Sequence, residues 1–331
     1  MSENLINSPR KLNLKLSANG VQNLVMLGIL VLIWIIGTIL YPAIFMTWEN
    51  IRNILVASTS VIITASAVTL VLITGNLDLS VAGVGAMCGV LFGVFTITGI
   101  PVWLAVILAI LCGAVSGFLN GYIISRFKQP SFIISLVFRF FTSGIALIAS
   151  NGQSIAAGMP GDVKNIAQTV FIGKFDLPLP IVYAVLIAGI FLFIQNKTVF
   201  ASQSYAIGSN IRTARFSGIS TVKIITSAFV LSGVLAAFTG IIIVSRFSVA
   251  DCSMLPGLET DCIIAAVLGG TDINGGRGTV LGMIIGALVL FTITQLLNML
   301  NVAVYNQQII KGLVLILAIL VNNTIRKKIK V

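Results

Sequence analysis

A chain of 331 residues that is 57% hydrophobic and only 9% charged, with a mean hydropathy of +1.09, lies far outside the range of water-soluble domains. Its formal net charge of +11 reads as membrane topology rather than nucleic-acid affinity, because no basic run interleaved with aromatics stands outside the apolar segments. The chain has no histidine and four cysteines without a Cys-x-x-Cys pair, which excludes an ordinary zinc site, and it has no alternating strands of the kind a membrane barrel needs.

Runs of about 20 apolar residues, each enough to cross ~30 Å of hydrocarbon as a helix, recur along the chain. The first 22 residues are polar and weakly basic and predict a cytosolic tail. The run from Leu24 to Met46 is too long for the core of a cleaved signal peptide and reads as a retained span. The predicted spans are 23–45, 54–74, 79–98, 101–125, 130–150, 180–195, 224–245, 261–270, 279–300 and 306–322. The expected fold is therefore an all-α polytopic membrane protein of about ten transmembrane helices, some short or broken. Residues 23–322 form one transmembrane domain, and 323–331 form a basic tail. An outer loop covers 151–179 and an inner loop covers 196–223.

Segment 261–270 is short, and charge decides its status. With Arg10, Lys11 and Lys15 in the cytosol, ten crossings return Arg326, Lys327, Lys328 and Lys330 to the same side. Arg126, Lys128, Lys197, Arg212, Arg215, Lys223 and Arg277 fall there too. Arg52, Lys164, Lys174 and Arg246 fall outside, while Arg139 and Lys311 lie within spans. That bias is what the positive-inside rule expects, so 261–270 counts as a crossing, short or broken, with both termini cytosolic.

The chain order also brings out polar interruptions. ITGNLDLSVAG, residues 73–83, breaks two apolar spans, and Asp78 or Ser80 is expected to cap the helix that follows. Irregular backbone at membrane depth survives only beside protein or water, so Asn76, Asp78 and Ser80 are candidates for a pathway or gate. Arg139 sits near mid-span, where an unpaired charge costs about 2.5–3.5 kcal/mol, and is expected to face the bundle interior and find a partner. Lys311 near the outer end of the last span is expected to snorkel.

The inner loop SYAIGSNIRTARFSGIS, 204–220, suits a short amphipathic helix bracketed by Gly208 and Gly218, with Arg212 and Arg215 on one face and Ser209, Asn210 and Ser217 among its polar residues. Two readings stand: anchoring to anionic lipid, and docking of a cytosolic protein.

GLETDCIIAAVLGGTDINGGRG, 257–278, carries Glu259, Asp261 and Asp272 into otherwise apolar sequence. Gly269 and Asp272 repeat the spacing of Gly75 and Asp78, and paired interruptions in two halves point to a transporter. Parity puts both breaks toward the cytosol, which favours a gate or packing role for Asp272 and Asp78, and it puts Glu259 and Asp261 toward an outer vestibule. Gly270 to Arg277 lacks the Lys-Ser/Thr of a phosphate-binding loop, so ATP hydrolysis is not expected of this chain.

These residues resemble the integral-membrane permease of bacterial ABC importers for ribose and other simple sugars. The resemblance runs through GNLDLSV (75–81), NGYII (120–124), QPSFI (129–133), YAIGSNIRTARFSGI (205–219), ETDCIIAAVLGGTDINGGRGTVLGMIIGAL (259–288) and NQQIIKGLVLILAI (306–319). The two segments at 205–219 and 259–288 are the specific ones. Such a resemblance implies a multi-pass protein of the bacterial cytoplasmic membrane that is not an enzyme. Its partners are a second permease copy, an extracytoplasmic substrate-binding protein and a cytosolic ATPase holding ATP and Mg, with no cofactor in the chain itself and lipid around it. It also makes Gly208–Gly218 the element that seats on the ATPase. Two positions depart from the family pattern: Asn76 stands where a second glycine is usual, and Ser143 where arginine precedes the glycine at Gly144. Arg139 lies one turn earlier on the same face. Two alternatives remain beside a sugar importer: a permease of the same class for nucleosides, autoinducer-type sugars or branched-chain amino acids, and an ion-coupled secondary transporter.

Overall fold

The computed structural model describes residues 18–172 and 175–329, so the amino-terminal tail lies outside it except for its last residues. The regular structure of the described residues is helical except for one short hairpin. In order come α1 (Ala18–Leu40), α2 (Trp48–Ile73), α3 (Val81–Ile97), α4 (Val102–Phe127), α5 (Ser131–Ala149) and α6 (Leu179–Lys197). Then follow α7 (Val199–Ser209), α8 (Ile211–Phe216), α9 (Thr221–Phe247), α10 (Leu258–Leu268), α11 (Val280–Met299) and α12 (Val304–Ile329). Seven of these, α1, α2, α4, α5, α6, α9 and α11, are long and apolar enough to cross a membrane. The outer loop holds a 3-10 turn at Gly161–Ala167 and the antiparallel hairpin β1 (Thr169–Ile172) and β2 (Phe175–Pro178).

Contacts between helix ends sort the bundle into two poles. At one, Trp48 Nε1 donates to Asp176 at 2.8 Å and Arg52 pairs with the same carboxylate, tying the hairpin to the start of α2. Tyr41 donates to the Met299 carbonyl there, and Ile155 bridges Ala250. At the other pole lie the ends of α2 and α6, the pair α7–α8, and the start of α11. Segment 248–279 begins at the hairpin pole and ends at the α8 pole, so it does traverse the bundle. It crosses as a loop, an 11-residue helix of about 16 Å, and a second loop. α10 alone covers about half of the hydrocarbon thickness.

Helix α2 starts at Trp48, six residues before the expected span, because the Thr47 side chain accepts the Asn50 amide and Asn50 Nδ2 reaches back to the Phe45 carbonyl. It is buried over most of its length and forms the axis of the bundle with α9. Close packing around α9 depends on small residues, as helix association in lipid generally does. Gly113, Gly117 and Gly121 repeat every fourth residue of α4, and a Cβ at Gly117 would overlap the Phe229 carbonyl of α9. Between α2 and α9 the Thr64 and Thr239 hydroxyls meet at 2.8 Å.

Gly117→Ala should therefore destabilise the detergent-solubilised protein by about 1–3 kcal/mol through overpacking. Gly189→Ala on α6, with nothing within 4 Å of the new methyl, should leave the protein as stable or slightly more so. Thermal unfolding of the two variants side by side checks this, and equal midpoints contradict the packing account.

Candidate functional site

The break between α2 and α3 reaches deep into the bundle. Ser232, eleven residues past the start of α9 and thus about 16 Å along its axis, donates its hydroxyl to Asp78 Oδ2 at 2.6 Å. Asp78 Oδ1 accepts the Ser80 amide at 2.9 Å and the Ser80 hydroxyl at 2.6 Å. Asn120 of α4 donates to the Ser80 oxygen at 3.1 Å, leaving its own Oδ1 buried and unpartnered. Capping of α3 thus rests on Asp78, since the Ser80 side chain makes no cap hydrogen bond. Leu77 completes the seal: its amide meets Ser131 Oγ and its carbonyl accepts from Ser135 Oγ, both on α5. A carboxylate buried here is tolerable because each oxygen has its donor.

The second break, 269–279, packs against the first. The Gly276 amide donates to the Ile73 carbonyl at 2.8 Å. Gly75, Gly275 and Gly276 all adopt positive φ, and a Cβ on Gly275 would press on the Gly75 backbone. Gly208 of α7 closes the contact from the third side, its Cα face directly on Ile73 O and Gly276 N. Tyr205 OH and Gln195 Nε2 both donate to the Gly278 carbonyl, at 2.6 and 3.1 Å, and Gln195 Oε1 accepts the Val280 amide at 2.9 Å. Asp272 sits apart from Asp78: its Oδ1 accepts the Asn274 amide at 2.9 Å in a local turn at the α8 pole.

The bracketed helix expected between Gly208 and Gly218 is two helices. Asn210 adopts extended backbone (φ −162°) and its carboxamide accepts the Arg212 and Thr213 amides, ending α7 and starting α8. Gly208 is a packing residue inside α7, whereas Gly218 (φ 80°) does terminate the unit. Ser209 backs Gly276 and Ser217 donates to the Thr213 carbonyl. Arg215 Nε donates to Thr221 at 3.2 Å, and Arg212 is exposed. Phe216, which the sequence reading did not single out, is 93% exposed at the tip of α8. A cavity of about 630 Å³ lies between this unit and the first break, walled by Thr74, Asn76, Lys128, Asn210, Arg212 and Arg215 among others.

Toward the hairpin pole the pairing that Arg139 needs is present: its guanidinium pairs with Glu259, the second residue of α10. Lys311 of α12 pairs with Asp261, its Nζ 2.9 Å from both carboxylate oxygens, so it is tied to a carboxylate inside the bundle. Glu259 is 3% exposed, and neither carboxylate opens freely onto solvent. The loop before α10 is braced outside the spans by Asp251, whose carboxyl is held below the usual range by the hydroxyl of Ser154 and the donors of Ser253.

Comparisons with known proteins agree in kind. Residues 50–319 match the family described as the branched-chain amino acid transport system / permease component. A ribose import permease protein of Escherichia coli K12 is 36% identical over 300 residues, 90% of this chain and 92% of that protein. The ribose import permease protein of Bacillus subtilis 168 is 34% identical over 305 residues, 91% and 92% of the two chains. A D-allose transport system permease protein of Escherichia coli K12 is 30% identical over 289 residues, 87% of each. No solved structure matches.

Asp78→Ala should strand the Ser80 and Ser232 hydroxyls and cost about 1–3 kcal/mol for each donor left buried without a partner. The melting temperature of the purified variant reads this, and a midpoint equal to the parent's contradicts the assignment of Asp78 as the support of the α2–α3 break.

Proposed function

This chain belongs to the permease-component family that its residues 50–319 match, and on that premise we propose that it is the membrane-spanning subunit of an ATP-driven importer for a small sugar. The observation that carries the reading is α8: a six-residue helix with a 93% exposed phenylalanine at its tip and two exposed arginines, while its neighbour α7 is packed by backbone contact onto both breaks. An exposed aromatic flanked by arginine is the composition of an interface anchor.

In this reading the α8 pole faces the cytosol. Phe216, Arg212 and Arg215 seat on an ATPase subunit, which binds ATP and Mg; this chain supplies neither catalysis nor a nucleotide loop. Ser209, Asn210, Ser217 and Gly218 shape the docking unit. Movement of α7 passes through Gly208 to the Ile73–Gly276 contact and so to the segment bearing Asn76, Asp78, Ser80 and Asp272, which gates the path between this chain and a second permease copy. A substrate-binding protein delivers cargo at the hairpin pole, toward Glu259 and Asp261. Because that protein supplies selection, the pathway needs only weak contacts, in keeping with the small number of charges in the body. Cargo of the sugar class is favoured by the relatives named as ribose and allose permeases.

Reconstitution in proteoliposomes with the partner ATPase and binding protein tests the proposal, with labelled ribose, allose and leucine as probes. ATP-dependent uptake of a sugar and not of leucine is the expected result; uptake of leucine alone, or of nothing, overturns the cargo reading. Phe216→Ala should lower uptake at least tenfold at equal membrane level, on the scale of a lost interface anchor. Full uptake by that variant contradicts the docking role.

A further inference from the structure

We propose that the Arg139–Glu259 pair is a cargo-binding subsite for a neutral, polyhydroxylated molecule on the hairpin-pole side of the bundle. The proposal rests on the importer reading above and names the residues on this chain that would touch the cargo. Arg139 lies eight residues past the start of α5, about 12 Å along the helix, and Glu259 stands at the first turn of the half-length α10. The two are 120 residues apart in sequence yet paired inside the bundle.

The pair is open where its neighbours are closed. Both oxygens of Asp261 meet Lys311 at 2.9 Å, and both oxygens of Asp78 accept hydroxyl donors. Glu259 pairs with Arg139 through Oε1 alone, and its Oε2 is buried with no hydrogen-bond partner. A pair kept only for structure gains most from two parallel bonds that occupy both oxygens, and a stranded carboxylate oxygen is costly. The arginine, meanwhile, is partly uncovered: its side chain is 38% exposed, and it lines a cavity of about 210 Å³ together with Ser143, Cys252 and Ser253. That volume is far more than one water requires. α3 supplies the apolar wall at Ala82 and Ala86.

The charge arrangement selects the ligand class. An anion entering beside Arg139 meets Glu259, a cation meets Arg139, and an apolar molecule leaves the guanidinium donors and Glu259 Oε2 unpaired. Hydroxyl groups both donate and accept, so a polyol bonds to Arg139 and Ser143, donates to the Ser253 oxygen, whose own hydrogen goes to Asp251, and satisfies the glutamate when the helices part. Its ring C–H face meets the alanine wall. This chain carries serine at 143 and arginine at 139, one turn lower on the same helix face, which places the donor level with Glu259.

Cys252 supplies a native reporter in the same cavity. Of the four cysteines, Cys88 and Cys262 are buried, so a Cys112→Ala background, assembled with cysteine-free partners, leaves Cys252 as the accessible thiol. With a charged methanethiosulfonate reagent as probe, the sugar that the importer transports should slow Cys252 labelling several-fold, and a non-transported amino acid should not. Glu259→Gln and Ser143→Ala should abolish this protection and raise the half-saturating sugar concentration for uptake about tenfold or more. Protection that persists in both variants, or its absence in the parent while sugar uptake proceeds, overturns the subsite and leaves the importer reading intact. A parent that moves no sugar overturns the importer reading itself. Should Glu259→Gln fail to fold, labelling of the parent and the Ser143→Ala variant still decide the question.

Discussion

Three stretches of backbone meet without side chains between them where the Gly276 amide donates to the Ile73 carbonyl and Gly208 lies across both. The end of α2, the loop before α11 and the last turn of α7 come from far-apart parts of the chain, and at this point they share one hydrogen bond and one patch of bare backbone. Any Cβ at Gly208 would overlap that hydrogen bond. Two further ties, from Tyr205 and Gln195 to the Gly278 carbonyl, extend the contact along α7 and α6. The exposed docking unit is thereby continuous with the segment that interrupts the membrane helices. Without this contact α8 would be a surface ornament with no mechanical route to the interior.

From there the structure inward is a matter of polar satisfaction. The α2–α3 break is held by one carboxylate with three donors, and the crossing at 248–279 is shortened to a half-helix with ion pairs at its start. Irregular backbone persists at this depth because protein groups replace the water it lacks. The close glycine contacts of α3 and α4 with α9 keep the surrounding helices near enough to exclude lipid from these breaks. One oxygen of Glu259 and one of Asn120 escape this economy, and such residues are where a polar cargo has something to gain.

Much of the fold was legible because membrane spans announce themselves locally. Hydrophobic runs, the basic bias of the loops and the glycine-bearing breaks at 75 and 269 are all read within a window of some 20 residues. Even the short crossing at 261–270 followed from charge parity. What escaped was the non-local pairing. Nothing near Arg139 names Glu259, nothing near Asp78 names Ser232, and the meeting of Gly75, Gly208 and Gly275 depends on three separate turns of the chain. The split of the inner loop into α7 and α8 has a different cause: Asn210 fits the polar pattern of one continuous helix, but its carboxamide takes the backbone amides and begins a new one. Phe216 is hidden in the sequence because an aromatic among apolar residues gives no sign of its exposure until the helix is placed.

The claim on which the rest depends is that the ends of α2 and α6, the loop 269–279 and the turn of α7 packed on them move as one body during transport. Amide hydrogen exchange of the assembled importer, with and without ATP, tests it most directly. The Gly276 and Val280 amides, bonded to Ile73 and Gln195, should remain equally protected in both conditions while exchange changes elsewhere in the breaks. Loss of protection at these two amides when ATP is added would mean that the loop 269–279 parts from the ends of α2 and α6 beneath α7, and would contradict the account.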